Sequence, residues 1–411
     1  MQYESVVSHP LGLYIHVPFC QHKCGYCDFN SWAEEDSQVI QQWIDCITEQ
    51  IAFWGPYLKK DKRVFDSVFF GGGTPNILKN DQLQLVFTAL QKHFSFTSKC
   101  EWSIEANPEF INKTQIDFLN SSPVNRLSIG IQSFQNKQLQ RLERKADRLQ
   151  NQKALGLVSE SWEGDFSFDL MYALPEQNVE ALLEDLELAM DFPADHISLY
   201  QLTLTTLKSQ NWQQGDEKTR LQMHNLAEEF LAQEGYAKYE VSNFCKANKE
   251  SQHNLKYWQL QPFLALGPGA RGLLPWQANA SDLRPSRFGV HQNQPNSFNL
   301  WKEGATKLSY EFDKFLRPRS HSDHVKELLM MNMRLKSGVA LNRLSALGIQ
   351  VDEIILDYQA LGYLRREPGR FALSQRAEVI LDTLILQIFD RLQPQLQKGA
   401  LDSSLYDPIF A

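Results

Sequence analysis

Three of the six cysteines fall together in Cys20-Gln-His-Lys-Cys24-Gly-Tyr-Cys27, directly after the apolar run LYIHV. The other three, Cys46, Cys100 and Cys245, are scattered. Thiolates spaced by three and then two residues on a loop can surround several irons. Three ligands serve a four-iron cluster only partly, and the remaining iron keeps a position for a small molecule, as catalytic metals generally do. Two other readings compete. Zinc accepts Cys and His, and His22 brings the ligand count to four, but the turn would crowd such a site and no second CxxC pair exists. Three ordinary buried cysteines would give no reason for the clustering beside Gly, Lys and His. A disulfide framework belongs to smaller, more densely bridged secreted chains.

Further residues with chemistry to offer follow at intervals. Gly71-Gly72-Gly73-Thr74-Pro75 is a turn whose glycines allow backbone to approach a ligand closely. It matches neither phosphate-binding nor dinucleotide fingerprints. Glu105 lies in SIEANP, Gln132 in GIQSF, Arg144 in RLERKAD and Asp169 in SFDLMYALP. Singly, each reads as a surface or salt-bridge residue. Tyr14, Tyr26 and His253, the last in His253-Asn-Leu-Lys-Tyr-Trp258, equally fit a packed core. Lys23 reads as a polar loop side chain.

The elements that must position these residues repeat one rhythm through the first 240 positions. Strand-like runs at 13–17, 67–71, 101–106, 126–132, 166–172 and 196–202 alternate with helical patterns near 37–54, 80–93, 112–119, 136–157, 178–190 and 216–233. This alternation indicates βαβ units and a mostly parallel sheet. Six units exceed a simple nucleotide-binding half and fall short of eight, so an α/β fold built on an incomplete, open barrel is expected. GGGTP, EANP, GIQSF and DLMYALP all sit at strand ends, where parallel α/β folds gather a ligand. With the cysteine loop they predict one shared cavity. Residues 1–240 thus read as the barrel, and 241–319, where the rhythm breaks, as a cavity-closing and connecting segment. Residues 320–411 read as a small C-terminal domain of helices around two short strands at Pro368-Gly369, winged-helix-like, with a packing or lid role.

Composition narrows the classes. The 411 residues carry a formal charge of -8, which argues against nucleic acid as a partner. The N-terminus lacks signal-peptide organisation, and no window offers the apolar run of a membrane span. ILDTLILQIF is interrupted by Asp382 and Gln387 and fits a packed helix. A cytoplasmic protein is expected, meeting a membrane only through a partner.

LYIHVPFCQHKCGYCDF resembles the cysteine loop of the radical S-adenosylmethionine superfamily, in its oxygen-independent coproporphyrinogen oxidase-like branch. The resemblance extends over about residues 11–390 and implies a (β/α)6 barrel. It further implies a [4Fe-4S] cluster on Cys20, Cys24 and Cys27, with S-adenosylmethionine chelating the open iron. A cellular reductant would supply the electron that cleaves the carbon–sulfur bond to give a 5'-deoxyadenosyl radical. By the same resemblance, GGGTP (Gly71, Gly72, Gly73, Thr74) meets the methionyl amino group and Arg144 the carboxylate. Gln132 and Asp169 bind the ribose side, and Glu105 the amino-acid or ribose side. Tyr14 contacts the cofactor, and Tyr26 stacks on adenine.

Two features resemble the heme chaperones of that branch rather than its oxidases. Phe29 stands where the oxidases carry a fourth cysteine, and only 19 residues precede Cys20. HNLKYW matches their HNxxYW segment, which implies heme binding at His253. The expectation is noncovalent or semi-stable heme binding and delivery to an apo-hemoprotein, such as a respiratory enzyme at the membrane surface. The alternative is oxidative decarboxylation of coproporphyrinogen III to protoporphyrinogen IX. Departures from the relatives fall at Gly267-Pro-Gly-Ala-Arg271, where G-x-G-A-H is usual, at Thr205 in place of a glutamate, and at Leu142-Glu-Arg-Lys-Ala146 in place of LGR-x-H.

Overall fold

The computed structural model describes residues 10–204, 212–278, 283–306, 316–378 and 380–401; Thr205 lies outside them. The six expected strands form: β1 (Leu11–Val17), β2 (Phe65–Gly72), β3 (Phe96–Ala106), β4 (Arg126–Gln132), β5 (Asp165–Tyr172) and β6 (His196–Gln201). Each pairs in parallel with the next. In β1 the alternation is plain. Leu11, Leu13, Ile15 and Val17 are fully buried in the main core, while Tyr14 and His16 take the opposite face. A parallel sheet covered on both sides needs this double burial.

The helices α1 (Ser37–Lys60), α2 (Asn80–His93), α3 (Lys113–Asn120), α4 (Asn136–Arg141), α5 (Arg148–Ser161), α6 (Val179–Ala189) and α7 (Glu217–Gln233) cover the outer face. α1 starts at Asp36, whose carboxylate accepts the Gln38 N–H at 2.8 Å, satisfying an end donor. Its buried stripe of Ile40, Trp43, Ile44, Ile47, Ile51, Trp54 and Leu58 recurs every three or four residues, the period of a core-facing helix. The pattern at 136–157 forms two helices rather than one. Glu143 adopts a left-handed φ of 57°, and Asp147 opens α5 with a capping box shared with Gln150.

The sheet is larger than six strands. After α8 (Gln252–Trp258), the short strand Phe263–Leu266 pairs in parallel with β1, making a seventh parallel strand inside the expected connecting segment. Antiparallel additions extend both edges: Ala237–Lys238 and Asn243–Cys245 beyond β6, and Arg271–Ala278, Leu283–Asn293 and Leu316–Pro318 beyond Phe263–Leu266. Twelve strands result, in an open order.

The C-terminal part has its own core, with Val325, Leu329, Leu344, Ile355, Phe371, Ile385 and Leu392 buried together. α9 (Phe298–Thr306) still packs on α1 and gives Trp301 to the main core, so the helices of the C-terminal part are α10 (His321–Asn332), α11 (Leu341–Ser345), α12 (Asp352–Ala360), α13 (Gln375–Glu378) and α14 (Leu381–Leu401). Val339–Ala340, Arg370–Leu373 and Leu364–Glu367 form a three-stranded sheet. A mixed α/β open barrel with a small helical and sheet subdomain is therefore the observed architecture. Among the described residues no helix is long and apolar enough to cross a membrane.

Candidate functional site

At the C-terminal ends of the barrel strands a cavity of about 360 Å³ opens. Cys20, Cys24, Cys27, Tyr26, Gly72, Gly73, Thr74, Glu105, Gln132, Arg144 and Asp169 all line it. One shared cavity thus gathers eleven residues from the cysteine loop, four strand ends and, through Arg144, the connection between α4 and α5.

The cysteine loop is held from several sides. Lys23 Nζ donates to the carbonyls of Phe29 and Ser31, each at 2.9 Å, so Lys23 closes the loop rather than decorating it. His16 Nε2 hydrogen-bonds the Asn30 carbonyl at 2.8 Å, which makes that nitrogen the donor and leaves Nδ1 to accept from the Tyr14 hydroxyl, also at 2.8 Å. Asn30 Nδ2 reaches the carbonyls of Pro268 and Asn296, both at 3.1 Å. Gly73 leaves no room for a side chain: a Cβ there would lie 2.5 Å from the Phe19 carbonyl oxygen and 3.0 Å from Cys20 Sγ. Gly72 has φ of 112°, a conformation favouring glycine, and its N–H donates to Glu105 at 3.0 Å.

Arg144 reaches inward because Glu143 turns the chain. Its Nη2 donates to the Gly130 carbonyl at 2.6 Å and to Asn107 Oδ1 at 3.0 Å, while Nη1 lies 4.0 Å from Cys24 Sγ. Asn107 Nδ2 in turn donates to Thr74 Oγ1 at 3.0 Å, so Asn107 ties the arginine to the GGGTP turn. Asn107 was hidden in the sequence, where EANP marks only a strand end. Burial opposes the Arg144 charge, but Tyr26 and Cys24 beside it more than offset this and keep it cationic. Its Nε is buried without a hydrogen-bond partner.

The carboxyls differ. Burial, reinforced by Asp169, raises Glu105 to about 8. Burial raises Asp169 to about 6, with Ser198 and then Arg144 opposing. Burial also pushes the thiols of Cys20 and Cys24 up, against Thr74 for the first and Arg144 for the second. Tyr26 packs on a small apolar cluster of Leu142, Met171, Leu174 and Leu202, with Leu204 and Trp212 at its edge.

Three predicted residues stand outside the lining. Gly71 lies just beneath it, where a Cβ would come 3.0 Å from Glu105 Oε2. Tyr14 faces the barrel interior and stacks on Phe69 and His253. His253 departs from the expectation of a heme-facing residue. It is wholly buried near the opposite, N-terminal ends of β1 and β2. Its Nδ1 bonds Ser67 Oγ at 2.9 Å and its Nε2 the Tyr257 hydroxyl at 2.8 Å. Burial lowers it to about 3. Both nitrogens are committed, so it has none to give an iron. Arg271 is exposed at the start of an outer strand, away from the lining.

The donor set fits a cluster better than a single ion. Among the described residues, the trio of ligand atoms gathered within 4.8 Å is His224, Glu228 and Glu378, not the loop thiols. His22 Nε2 is turned to Glu143 at 3.4 Å. Three spread sulfurs suit a multi-iron group. The partnerless Arg144 Nε and the two half-buried carboxyls suit a ligand with opposite charges.

Comparison with known proteins follows the same line. A family model described as "Radical SAM superfamily" matches residues 14–189. The heme chaperone HemW of Buchnera aphidicola subsp. Schizaphis graminum is 34% identical over 278 residues, covering 67% of this chain and 73% of that protein. HemW of Lactococcus lactis is 32% identical over 349 residues, covering 82% and 85%. Coproporphyrinogen III oxidase (HemN) from Escherichia coli superimposes with a TM-score of 0.77 over 94% of this chain and 92% of that one, at 17% identity. That likeness is one of fold.

Proposed function

The chain belongs to the radical SAM superfamily, close to its HemN and HemW branch, and from that premise we propose an iron–sulfur protein that binds heme and hands it to apo-hemoproteins. Cys20, Cys24 and Cys27 hold the [4Fe-4S] cluster. The observation that carries this reading is the convergence of three free thiols and the Arg144, Glu105, Gln132 and Asp169 side chains on one cavity. Cys46, Cys100 and Cys245 do not line it.

Bound there, the cluster and S-adenosylmethionine supply one-electron chemistry at a carbon–sulfur bond. The chain's residues position the second molecule. Arg144, already fixed by Asn107 and Gly130, offers a planar donor face to a carboxylate, which a lysine cannot copy. Glu105 accepts the ammonium. Gln132 and Asp169 accept ribose hydroxyls, and Tyr26 gives adenine an apolar face. Gly72, Gly73 and Thr74 bring backbone up to the amino-acid end, and Gly71 leaves Glu105 its space. Tyr14 acts from below, through His16, on the loop.

Heme handling is favoured by the relatives named heme chaperones and by Phe29. This phenylalanine is 60% exposed and lines the cavity, where a further cysteine would instead offer a ligand. With His253 committed to Ser67 and Tyr257, heme must be met by other residues. Recipients are apo-hemoproteins, respiratory enzymes among them.

The test is paired. Anaerobically reconstituted protein should show a reduced-cluster EPR signal, lost in Cys24→Ser, bind heme saturably, and pass it to an apo-hemoprotein. Turnover of coproporphyrinogen III to protoporphyrinogen IX without saturable heme binding would replace this reading with the oxidase.

A further inference from the structure

A second cleft, of about 430 Å³, opens between β6, α7 and the C-terminal subdomain. It is not separate from the first cavity, because Tyr200 and Thr203 line both. We infer that this second cleft is the tetrapyrrole seat, with the macrocycle against Tyr200 and a propionate at Arg334. The inference rests on the tetrapyrrole-handling reading above and locates the ligand that reading requires.

Space is the first argument. Ligand pockets run from about 300 to about 1,000 Å³, and the first cavity lies near the lower bound. S-adenosylmethionine and the cluster take it up, and a tetrapyrrole, larger than S-adenosylmethionine, has no room beside them. The adjoining cleft more than doubles the volume and meets the first cavity at Tyr200.

Surface chemistry is the second. Tyr200 is 40% exposed, an amphipathic ring available for stacking. Val241, Phe244 and Leu381 add apolar wall. These residues come from two bodies of the molecule, the kind of junction where ligand sites recur.

Charge is the third. Arg334 lines the cleft and pairs with Asp382 at 2.6 Å, but that aspartate is 82% exposed. A pair open to water on its aspartate side contributes little, so a propionate can take over the guanidinium. Glu228 and Glu378 share the wall, yet Lys238 bridges both and Lys336 contacts Glu378. Their charges are therefore matched, and the remaining carboxylate of the described lining, Asp382, is 82% exposed and screened by water. Recognition through the ring and its carboxylates is the same with or without iron. His224, on the same wall, has its Nδ1 on the Tyr172 hydroxyl at 3.1 Å.

The experiment titrates full-length, cluster-loaded protein with hemin and, separately, with metal-free protoporphyrin IX. Thr383→Trp puts an indole at an exposed position of the cleft lining, and Arg334→Glu reverses the proposed anchor. Both should weaken both ligands at least tenfold while iron and sulfide content match the parent protein. Hydrogen exchange adds a measurement free of substitutions: protoporphyrin IX should protect residues 199–201, 224–228 and 380–384. Unchanged affinity in both variants, or protection confined to the cysteine loop, overturns the location and leaves heme handling standing. If the parent protein binds neither ligand saturably, the functional reading itself fails, and the seat with it.

Discussion

Glu105 shares the cavity with Asp169, and burial more than charge weakens it as an acid, raising its carboxyl to about 8. In the ligand-free site it therefore holds its proton at neutral pH, whereas an ammonium against it favours the carboxylate. Binding must then release a proton, and the sign follows. Affinity for S-adenosylmethionine rises by up to about tenfold per pH unit on the approach to pH 8 and stops rising there, where the ligand's own ammonium begins to lose its proton. Calorimetry across this interval in buffers of different ionisation enthalpy measures both slope and proton release. Glu105→Gln should flatten the profile, and a flat profile in the parent protein would remove Glu105 from the ammonium. His253 makes the opposite kind of prediction. His253→Ala leaves Ser67 and Tyr257 short of a buried partner, costing about 1–3 kcal/mol in urea unfolding, while heme affinity stays at the parent value. A variant that loses heme but not stability would return His253 to the binding site.

The parts of the site carried by single elements were legible, because local pattern alone places them. The cysteine spacing, the GGGTP turn and the residues closing β3, β4 and β5 fall where their strands end. What stayed hidden depends on contacts far apart in sequence. Phe263–Leu266 has four residues, too few for a period, and becomes a strand only through β1. The 136–157 pattern looks continuous because the left-handed Glu143 that admits Arg144 leaves no mark on hydrophobic spacing. HNLKYW is motif-like, but only folding shows His253 facing Ser67 at the far end of the barrel. The loop's outer clamp is hidden in the same way. Gly269 has φ of 77°, and a Cβ there would fall 2.2 Å from Asn30 Nδ2. Gly269→Ala should therefore cost about 1–2 kcal/mol in backbone strain and displace Asn30 from Pro268 and Asn296. The readout is iron loss to a chelator, expected to accelerate well beyond what the modest drop in unfolding midpoint explains. A shifted midpoint with unchanged iron retention would mean Asn30 does not govern the loop.

The two bodies of the molecule are joined by charge as well as by the packing of Val241 and Leu260 on the C-terminal core. Lys238, next to the barrel's last helix, contacts Glu228 of α7 and Glu378 of α13, and Lys336 meets Glu378 at 3.1 Å. The side chains of Lys238, Glu228 and Glu378 are 7%, 11% and 10% exposed, so salt screens this network little. Around it, Asn332 Nδ2 donates to the Trp258 carbonyl at 2.7 Å and Arg343 Nη1 to that of Gln259 at 3.0 Å. His224, Glu228 and Glu378 also have the composition of a divalent-cation site, but the Lys238 ammonium already contacts both carboxylates. Lys238 is therefore the resident cation. Lys238→Met strips it out, leaving Glu228 without its lysine and Glu378 with Lys336 alone, a loss of up to about 3–5 kcal/mol by analogy with broken buried ion pairs. The cost should fall on the junction rather than on either core, so hydrogen exchange should rise in α13 and the start of α14 while α1 and α2 keep their protection. Added zinc should restore protection in Lys238→Met and do nothing for the parent protein. Uniform destabilisation of both bodies, or zinc stabilising the parent, would show that the lysine is not what fastens them.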